Sequence, residues 1–216
     1  VAIAMHDETD TKERLLNAAE ALFARHGCHA TSVRAITHAA GANLAAVGYH
    51  FGSKEALIRA VIDRRLAPLN RERLARMEAE LEAATTASRR PRVATLLRAF
   101  IEPTVRFRTT DPKGRDFIAF VARLLHEPEP GARDHFFARM RPVIKRYLPA
   151  LCAALPKVAP EVIQWRFHFC IGAMAHTLFV AVAPPVAGHH RPTALDGDAL
   201  VTLLVTFLTA GMKAHS

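Results

Sequence analysis

The sequence predicts an all-α fold, and three observations carry that expectation. Apolar residues recur at helical spacing along most of the 216 positions, period-two runs rich in Val, Ile and Thr are nearly absent, and Gly, Pro and short polar stretches interrupt the apolar segments at helix-length intervals. With half of its residues apolar, a chain of this length buries a substantial core without disulfides or metal.

The first helix is expected from Asp10, with Glu13 three residues later as in a capping box; Leu15, Ala19, Leu22 and Phe23 share one face, and Gly27 ends it. Thr31 or Ser32 caps a short second helix through Val33, Ile36 and Ala40, which stops at Gly41. A third short helix follows from Asn43, an N-cap residue type, to about His50. Phe51 and Gly52 break it, and Ser53 caps a fourth helix carrying Leu57, Ile58, Val61 and Ile62. Pro68 lies inside the continuing helical pattern, so a kink or break is expected there.

Residues 85–92 form a polar loop, residues 93–107 a helix containing Pro103, and residues 109–115 a second loop. Phe117, Phe120, Val121 and Leu124 make a helical stripe that Pro128 and Pro130 terminate. A longer helix over residues 132–155 carries Phe136, Phe137, Met140, Ile144, Leu148 and Leu151, with its basic residues mostly on other faces. Two strongly apolar helices over residues 161–182 and 198–214 complete the chain, about nine helices in all.

Composition excludes several classes. Cys28, Cys152 and Cys170 are few, odd in number and without metal-ligand spacing, which points to ordinary buried thiols in a reducing, cytoplasmic compartment, with no metal and no cofactor. Residues 1–5 are weakly apolar but are followed by His6, Asp7, Glu8 and Asp10, unlike a secretory signal. Residues 167–190 contain no Asp, Glu, Lys or Arg, which raises a membrane span on length alone. His168, His176 and Thr177 interrupt that stretch and Pro184 and Pro185 end its helical part, so a buried helix and no membrane is the expectation.

The formal net charge of +9 suggests an anionic partner without locating its surface. Residues 1–66 carry eight Lys or Arg against seven Asp or Glu, a net of +1, and residues 67–216 carry 21 against 13, a net of +8. Charge alone therefore does not place a partner surface, and the residue pattern has to.

That pattern lies in residues 31–57, TSVRAITHAAGANLAAVGYHFGSKEAL. Two short helices joined by a tight Gly-containing turn and packed on a preceding amphipathic helix meet the requirements of a helix-turn-helix. Val33, Ile36, Ala40, Leu44 and Val47 are expected to face Leu22 and Phe23. Over residues 10–66 the chain resembles the TetR family of bacterial transcriptional regulators: a helix ending in Gly27, the turn at Gly41, the Tyr49, His50, Phe51 triplet, and Ser53, Lys54, Glu55 and Leu57 opening the next helix.

The resemblance implies a helix-turn-helix DNA-binding domain over residues 10–53 after a flexible tail (1–9), with a larger helical regulatory and dimerisation domain over residues 54–216, of which 54–66 is a linking helix. It also implies that the third helix enters the major groove of double-stranded DNA. Asn43 can bond a base edge or phosphate, while Leu44, Ala45 and Ala46 permit close approach to thymine methyls. Tyr49, His50 and Lys54 suit phosphate oxygens, as do Ser32, Val33 and Arg34 at the start of the second helix. Each also has a structural reading: Tyr49 as a core aromatic, Asn43 as a helix cap, Lys54 as a solvated lysine, and Phe51 reads as core. Gly48 departs from the larger or polar residue expected to face DNA; either the duplex comes very close there or base reading is weaker.

Half-sites one helical turn apart, roughly 34 Å, demand a two-fold homodimer. Gly172, Ala173 and Ala175 allow close helix approach, and Leu203, Leu204, Phe207 and Leu208 supply apolar area for a four-helix interface; internal core is the other reading of the same residues. The resemblance further implies a cavity among the middle helices for a small apolar or amphipathic effector. Phe117, Phe120, Phe137, Met140, Trp165 and Phe169 are candidate lining, with Arg123, Arg139 or Arg166 to pair an anionic head group, although such residues at helical spacing are also what core requires.

NLAAV and YHFGSKEAL look like a subgroup that responds to fatty acids or acyl thioesters. The expected function is a ligand-released repressor of a palindromic operator, in which ligand favours one arrangement of the kinked middle helices. The alternatives are a helical enzyme and a non-specific nucleic-acid or membrane-surface binder. Against the enzyme, no Gly-rich phosphate loop, metal-spaced cluster or nucleophile and base pattern occurs, and His168 and His176 lack the four-residue spacing of a helical metal pair.

Overall fold

A computed structural model describes the backbone of residues 2–125, 130–180 and 195–214, and the side chains of those residues except 2–9, 130, 179 and 180. Nine helices and no strand occur among the described residues. They are α1 (Ala2–Ala30), α2 (Val33–Ala40), α3 (Ala45–Phe51), α4 (Lys54–Thr86), α5 (Val93–Thr110), α6 (Pro112–Leu124), α7 (Pro130–Ala154), α8 (Pro160–Val180) and α9 (Gly197–Lys213).

Several boundaries move from their expected places. Helix α1 runs from Ala2 rather than Asp10, since Ala2, Ile3, Ala4 and Met5 all tolerate helix; at Gly27, φ 81° and ψ 167° break its geometry before one last turn. Helix α3 opens at Ala45, and the N-cap position is taken by Leu44 without a side-chain bond, so Asn43 is not its cap. Pro68 does not end α4, which continues through it for 33 residues. Pro68 stands on an exposed face, where its ring and missing N–H disturb the helix least. Pro184 and Pro185, expected to end the apolar run, lie outside the described residues, as does Pro128.

The chain divides into two compact units, one of Val1–Ala67 with Arg115–Arg139, the other of Pro68–Gly114 with Met140–Ser216. In the first, Leu15, Ala19, Phe23, Ile36, Val47, Leu57, Val61, Ile62, Phe117, Phe120 and Leu124 are buried. Phe120 lies 5.7 Å from Phe23 and 6.3 Å from Phe117 between ring centroids, so an aromatic row backs α1. In the second, Phe100, Tyr147 and Phe167 bring α5, α7 and α8 together: Phe100 meets each of the others edge-on at 5.2 Å, and Tyr147 stacks on Phe167. Helix α9 packs on α5 and α8 through Val201, Leu204, Val205, Leu208 and Met212. Thr109 fits so closely against Gly197 that a Cβ there would crowd its side chain. Among the described residues no helix is long and apolar enough to cross a membrane.

Candidate nucleic-acid interface

Local chemistry fixes the two short helices. Ser32, extended at φ −85° and ψ 153°, accepts a hydrogen bond from the Ala35 N–H at 3.1 Å and so caps α2. At its other end Gly41 adopts φ 60° and ψ 38°; its N–H donates to His38 O at 3.1 Å, and the Ala42 N–H donates to Thr37 O at 2.9 Å. This is a Schellman ending, which requires the left-handed conformation glycine tolerates best. Gly52 at φ 80° turns the chain out of α3, and Ser53 caps α4 by accepting from the Ala56 N–H at 3.1 Å.

Helix α1 is bolted to this turn. Arg14 Nη1 donates to Ala40 O at 3.1 Å and to Gly41 O at 3.3 Å, Nη2 donates to Thr11 Oγ1, and Nε pairs with Asp10. Thr31 Oγ1 donates to Gly27 O at 2.7 Å, closing the link between α1 and α2. The buried carboxylate of Glu20 holds both Arg64 and Arg65 of α4, and Arg64 also donates to Glu13 and Asn17. Asp63 accepts from Arg139 Nε and Nη2 and bonds His135 Nε2, each at 2.8 Å. Burial pushes the Asp63 carboxyl up, but the bonds from Arg139 and His135 outweigh it and hold it below the ordinary aspartate range. Asp10, Glu13, Glu20 and Asp63 are thus all engaged by arginines, and at the face around α2 and α3 Arg34 is exposed and Lys54 half-exposed, next to the exposed Glu55.

The outward surface of the two helices and their flanks includes Ser32, Arg34, Asn43, Leu44, Ala45, Gly48 and Tyr49, all exposed, with Val33, His50 and Lys54 intermediate. Tyr49 is 72 % exposed and cannot be core. Leu44, expected to face Leu22 and Phe23, is instead 54 % exposed, while Ala46, expected toward DNA, is buried beside Val47. The cause is the later start of α3: a helix opening at Ala45 turns positions 46 and 47 inward together. Phe51 is half-buried rather than core, with Lys12 Nζ 6.0 Å from its ring centroid. Tyr49 meets His50 edge-on at 5.0 Å.

The residues expected around an effector do not converge within one unit. Phe117, Phe120, Arg123 and Phe137 belong to the first unit, where Phe117 and Phe120 are core and Phe137 is exposed; Met140, Trp165 and Phe169 belong to the second. Arg123 donates to Ala24 O, Arg139 to Asp63 and Arg166 to Met212 O, so each already has a partner. In the second unit Trp165 and Phe169 are 66 % and 65 % exposed, one helical turn apart on α8, and Leu203 and Phe207 are similarly spaced and exposed on α9. Gly172 is exposed and Ala173 and Ala175 intermediate, whereas Leu204 and Leu208 face inward as core. Sequence inspection missed Arg14, Glu20 and Arg73; the only advance signal for Arg14 and Glu20 is their place on the half-apolar α1, and nothing sets Arg73 apart from its neighbouring arginines.

A capped helix, a Schellman turn and a second short helix with a polar outward face, held on a long amphipathic helix, define a helix-turn-helix regulator. Residues 15–61 match the bacterial regulatory proteins of the tetR family, and residues 98–211 match the tetracyclin repressor-like C-terminal domain. The chain belongs to the TetR family and is a DNA-binding transcriptional regulator, not an enzyme.

Among individual relatives, the HTH-type transcriptional regulator UidR of Escherichia coli K12 is 42 % identical over 52 residues, a stretch that is 24 % of this chain and 26 % of that protein. The match thus spans about a quarter of the length of that relative. The fold is similar to that of the fatty acid degradation regulator FadR from Bacillus halodurans, at 14 % identity and TM-score 0.68 over 95 % of this chain and 97 % of that one. It is also similar to that of SmeT, the repressor of the Stenotrophomonas maltophilia multidrug efflux pump SmeDEF, at 22 % identity and TM-score 0.62 over 93 % and 91 %.

Proposed function

We propose that the protein is a cytoplasmic, ligand-released repressor that binds a palindromic operator as a homodimer. The observation that carries this reading is the outward face of α3, where Leu44, Ala45, Gly48 and Tyr49 stand exposed on a helix fixed by Arg14 and by the Gly41 turn. Small residues at its centre let the backbone approach base edges, and Arg34, Asn43, Tyr49, His50 and Lys54 at the margins suit phosphate oxygens. In this reading residues 10–53 are the DNA-binding domain, and residues 54–216, led by the linking stretch 54–66, sense the effector and pair the subunits.

Pairing is supported by Trp165, Phe169, Leu203 and Phe207, large apolar side chains left exposed on α8 and α9, helices that already pack together. An amphipathic effector such as a fatty acid or acyl thioester suits the aromatic interior of the second unit, and the fold neighbour FadR is a fatty acid degradation regulator.

Selection of duplexes from a random pool by the full chain tests the reading. The expected outcome is enrichment of an inverted repeat with half-site centres about one helical turn apart. Tyr49→Ala and Lys54→Ala should then weaken binding to all operators alike and flatten its salt dependence. Recovery of unrelated sequences with one common, steeply salt-dependent affinity would instead show a sequence-blind binder.

A further inference from the structure

The second unit buries a guanidinium that makes no direct ion pair with a carboxylate among the described residues. Arg73, on α4, is 3 % exposed, yet no ion pair joins it to an acidic group among the described residues. Its neighbours' carboxylates are committed elsewhere: Glu72 pairs with Arg76, and the buried Glu102 is shared by Arg76, Arg98 and Arg106. Arg73 is held by neutral acceptors instead. Nε donates to Phe100 O at 3.0 Å, Nη1 to Asn70 Oδ1 at 2.7 Å and to Met140 Sδ at 3.5 Å, and Nη2 to Thr104 Oγ1. The guanidinium carbon sits 4.7 Å from the Phe100 ring centroid.

Two features separate this arrangement from a purely structural arginine. A guanidinium has five N–H donors; here four have an acceptor among the described residues, and one of those is a thioether, a weak acceptor on the most adaptable of apolar side chains. The surroundings are otherwise apolar: Phe100, Tyr147, Phe167, Met77 and Met140 are all buried, and Tyr147 fixes the Arg73 backbone by donating to its carbonyl at 2.9 Å. Burial pushes the Arg73 guanidinium down to about 10, although the charges of Tyr147 and Glu72 act in the other direction.

We propose that Arg73 is the anion receptor of an effector site inside the second unit, and that its ligand is a monocarboxylate carrying an apolar chain or ring. The carboxylate takes the Nη1 donor now resting on Met140 Sδ and the Nη2 donor that has no acceptor among the described residues, so its two oxygens engage the guanidinium fork. Met140 swings aside, and the apolar part lies against the Phe100, Tyr147 and Phe167 rings. One cation balances one negative charge, which favours a carboxylate over a phosphate dianion. The site rests on the reading of the protein as effector-responsive.

Isothermal titration of the full chain with two acid and alcohol pairs, dodecanoate with dodecan-1-ol and 3-phenylpropanoate with 3-phenylpropan-1-ol, tests the proposal. At least one acid should bind about tenfold or more tightly than its alcohol, and Arg73→Met should erase that difference while leaving the alcohol's affinity in place. If circular dichroism shows Arg73→Met to be unfolded, Arg73→Lys decides. Loss of the acid preference supports the fork, and an undiminished preference refutes it. Binding of neither acid, equal binding of acid and alcohol, or an acid preference that survives Arg73→Met overturns the proposal, and competition by inorganic phosphate overturns the carboxylate class. Operator release measured in the same samples keeps the two readings apart. An acid held by Arg73 that leaves the operator bound refutes effector release but not the site, and release that persists in Arg73→Met refutes the site but not effector release.

Discussion

Arg14 reaches 27 residues along the chain to donate from Nη1 to the carbonyl oxygen of Gly41, 3.3 Å away. The same nitrogen serves Ala40 O, so one side chain of α1 satisfies the carbonyls that end α2 and fixes the turn from which α3 departs. A charged hydrogen bond that satisfies helix-end carbonyls contributes roughly 1 to 2 kcal/mol. Arg14→Met keeps the aliphatic stem and removes the donors. It should lower stability by about that amount in urea titration and weaken operator binding about tenfold or more, because α3 loses its fixed approach. Operator affinity equal to wild type would mean that DNA itself orders the turn.

The parts of the fold that were legible in the sequence are those whose cause is local. Ser32, Gly41, Gly52 and Ser53 each act within four residues, and the structure uses each as a cap or turn. Loops at residues 87–92 and 155–159 follow from polar or Pro-rich stretches for the same reason. What was not legible depends on partners far along the chain. Arg71, Arg73 and Arg76 look alike in RERLAR, yet only Arg73 is buried, because Phe100, Thr104 and Met140 surround it. Glu13 stays exposed while meeting Arg64, whereas Glu20 is buried with both Arg64 and Arg65, more than forty positions away, on its carboxylate. The apolar character of α8 and α9 was evident, but which residues face inward was not: Leu204 and Leu208 turned to core while Leu203 and Phe207 stayed outside.

Asp63 makes stability in the first unit depend on acid. Its folded pKa lies below the ordinary value of about 3.9 because the bonds from Arg139 and His135 outweigh the opposing effect of burial. A depressed carboxylate contributes stability that is fully present above the unfolded value and is lost as pH falls through the folded one. Asp63→Asn should therefore be less stable than wild type at pH 6, and the gap should narrow as the pH falls below the ordinary aspartate value. Urea midpoints measured across that range check the sign. A gap that stays constant to pH 3 would assign the difference to packing instead.

Phe207 and Trp165 offer a test of pairing that leaves the internal core alone. Both are more than 60 % exposed, so Phe207→Arg and Trp165→Glu introduce charge without burying it inside the subunit. If these side chains meet a second copy, the charge is desolvated there and the dimer dissociates. Light scattering after size exclusion should show a folded monomer whose operator affinity falls by about a hundredfold or more, since two linked reading heads bind far more tightly than one. A dimer that survives both substitutions would place the interface elsewhere.

Gly48 sets stability against function on a single carbon. It lies in the middle of α3 with ordinary helical backbone, is exposed, and a Cβ built on it meets nothing within 4 Å. Nothing among the described residues therefore requires glycine, and exchange for Ala should stabilise the helix by about 1 kcal/mol through reduced backbone freedom in the unfolded chain. In a chain of this size that corresponds to a rise of roughly 2 to 4 °C in Tm. The unused space is accounted for if the duplex itself fills it, with a sugar or base edge against the α3 backbone where a larger side chain would hold it off. Gly48→Ala should then be more heat-resistant than wild type and bind the operator about tenfold or more weakly, the loss growing with Val, whose branched carbon adds width toward the DNA. Thermal melting and operator titration on the same preparation separate the two effects. A stabilised Gly48→Ala that binds with full affinity would put this face of α3 away from the groove and leave Leu44 and Tyr49 at its two ends as the contacts to examine.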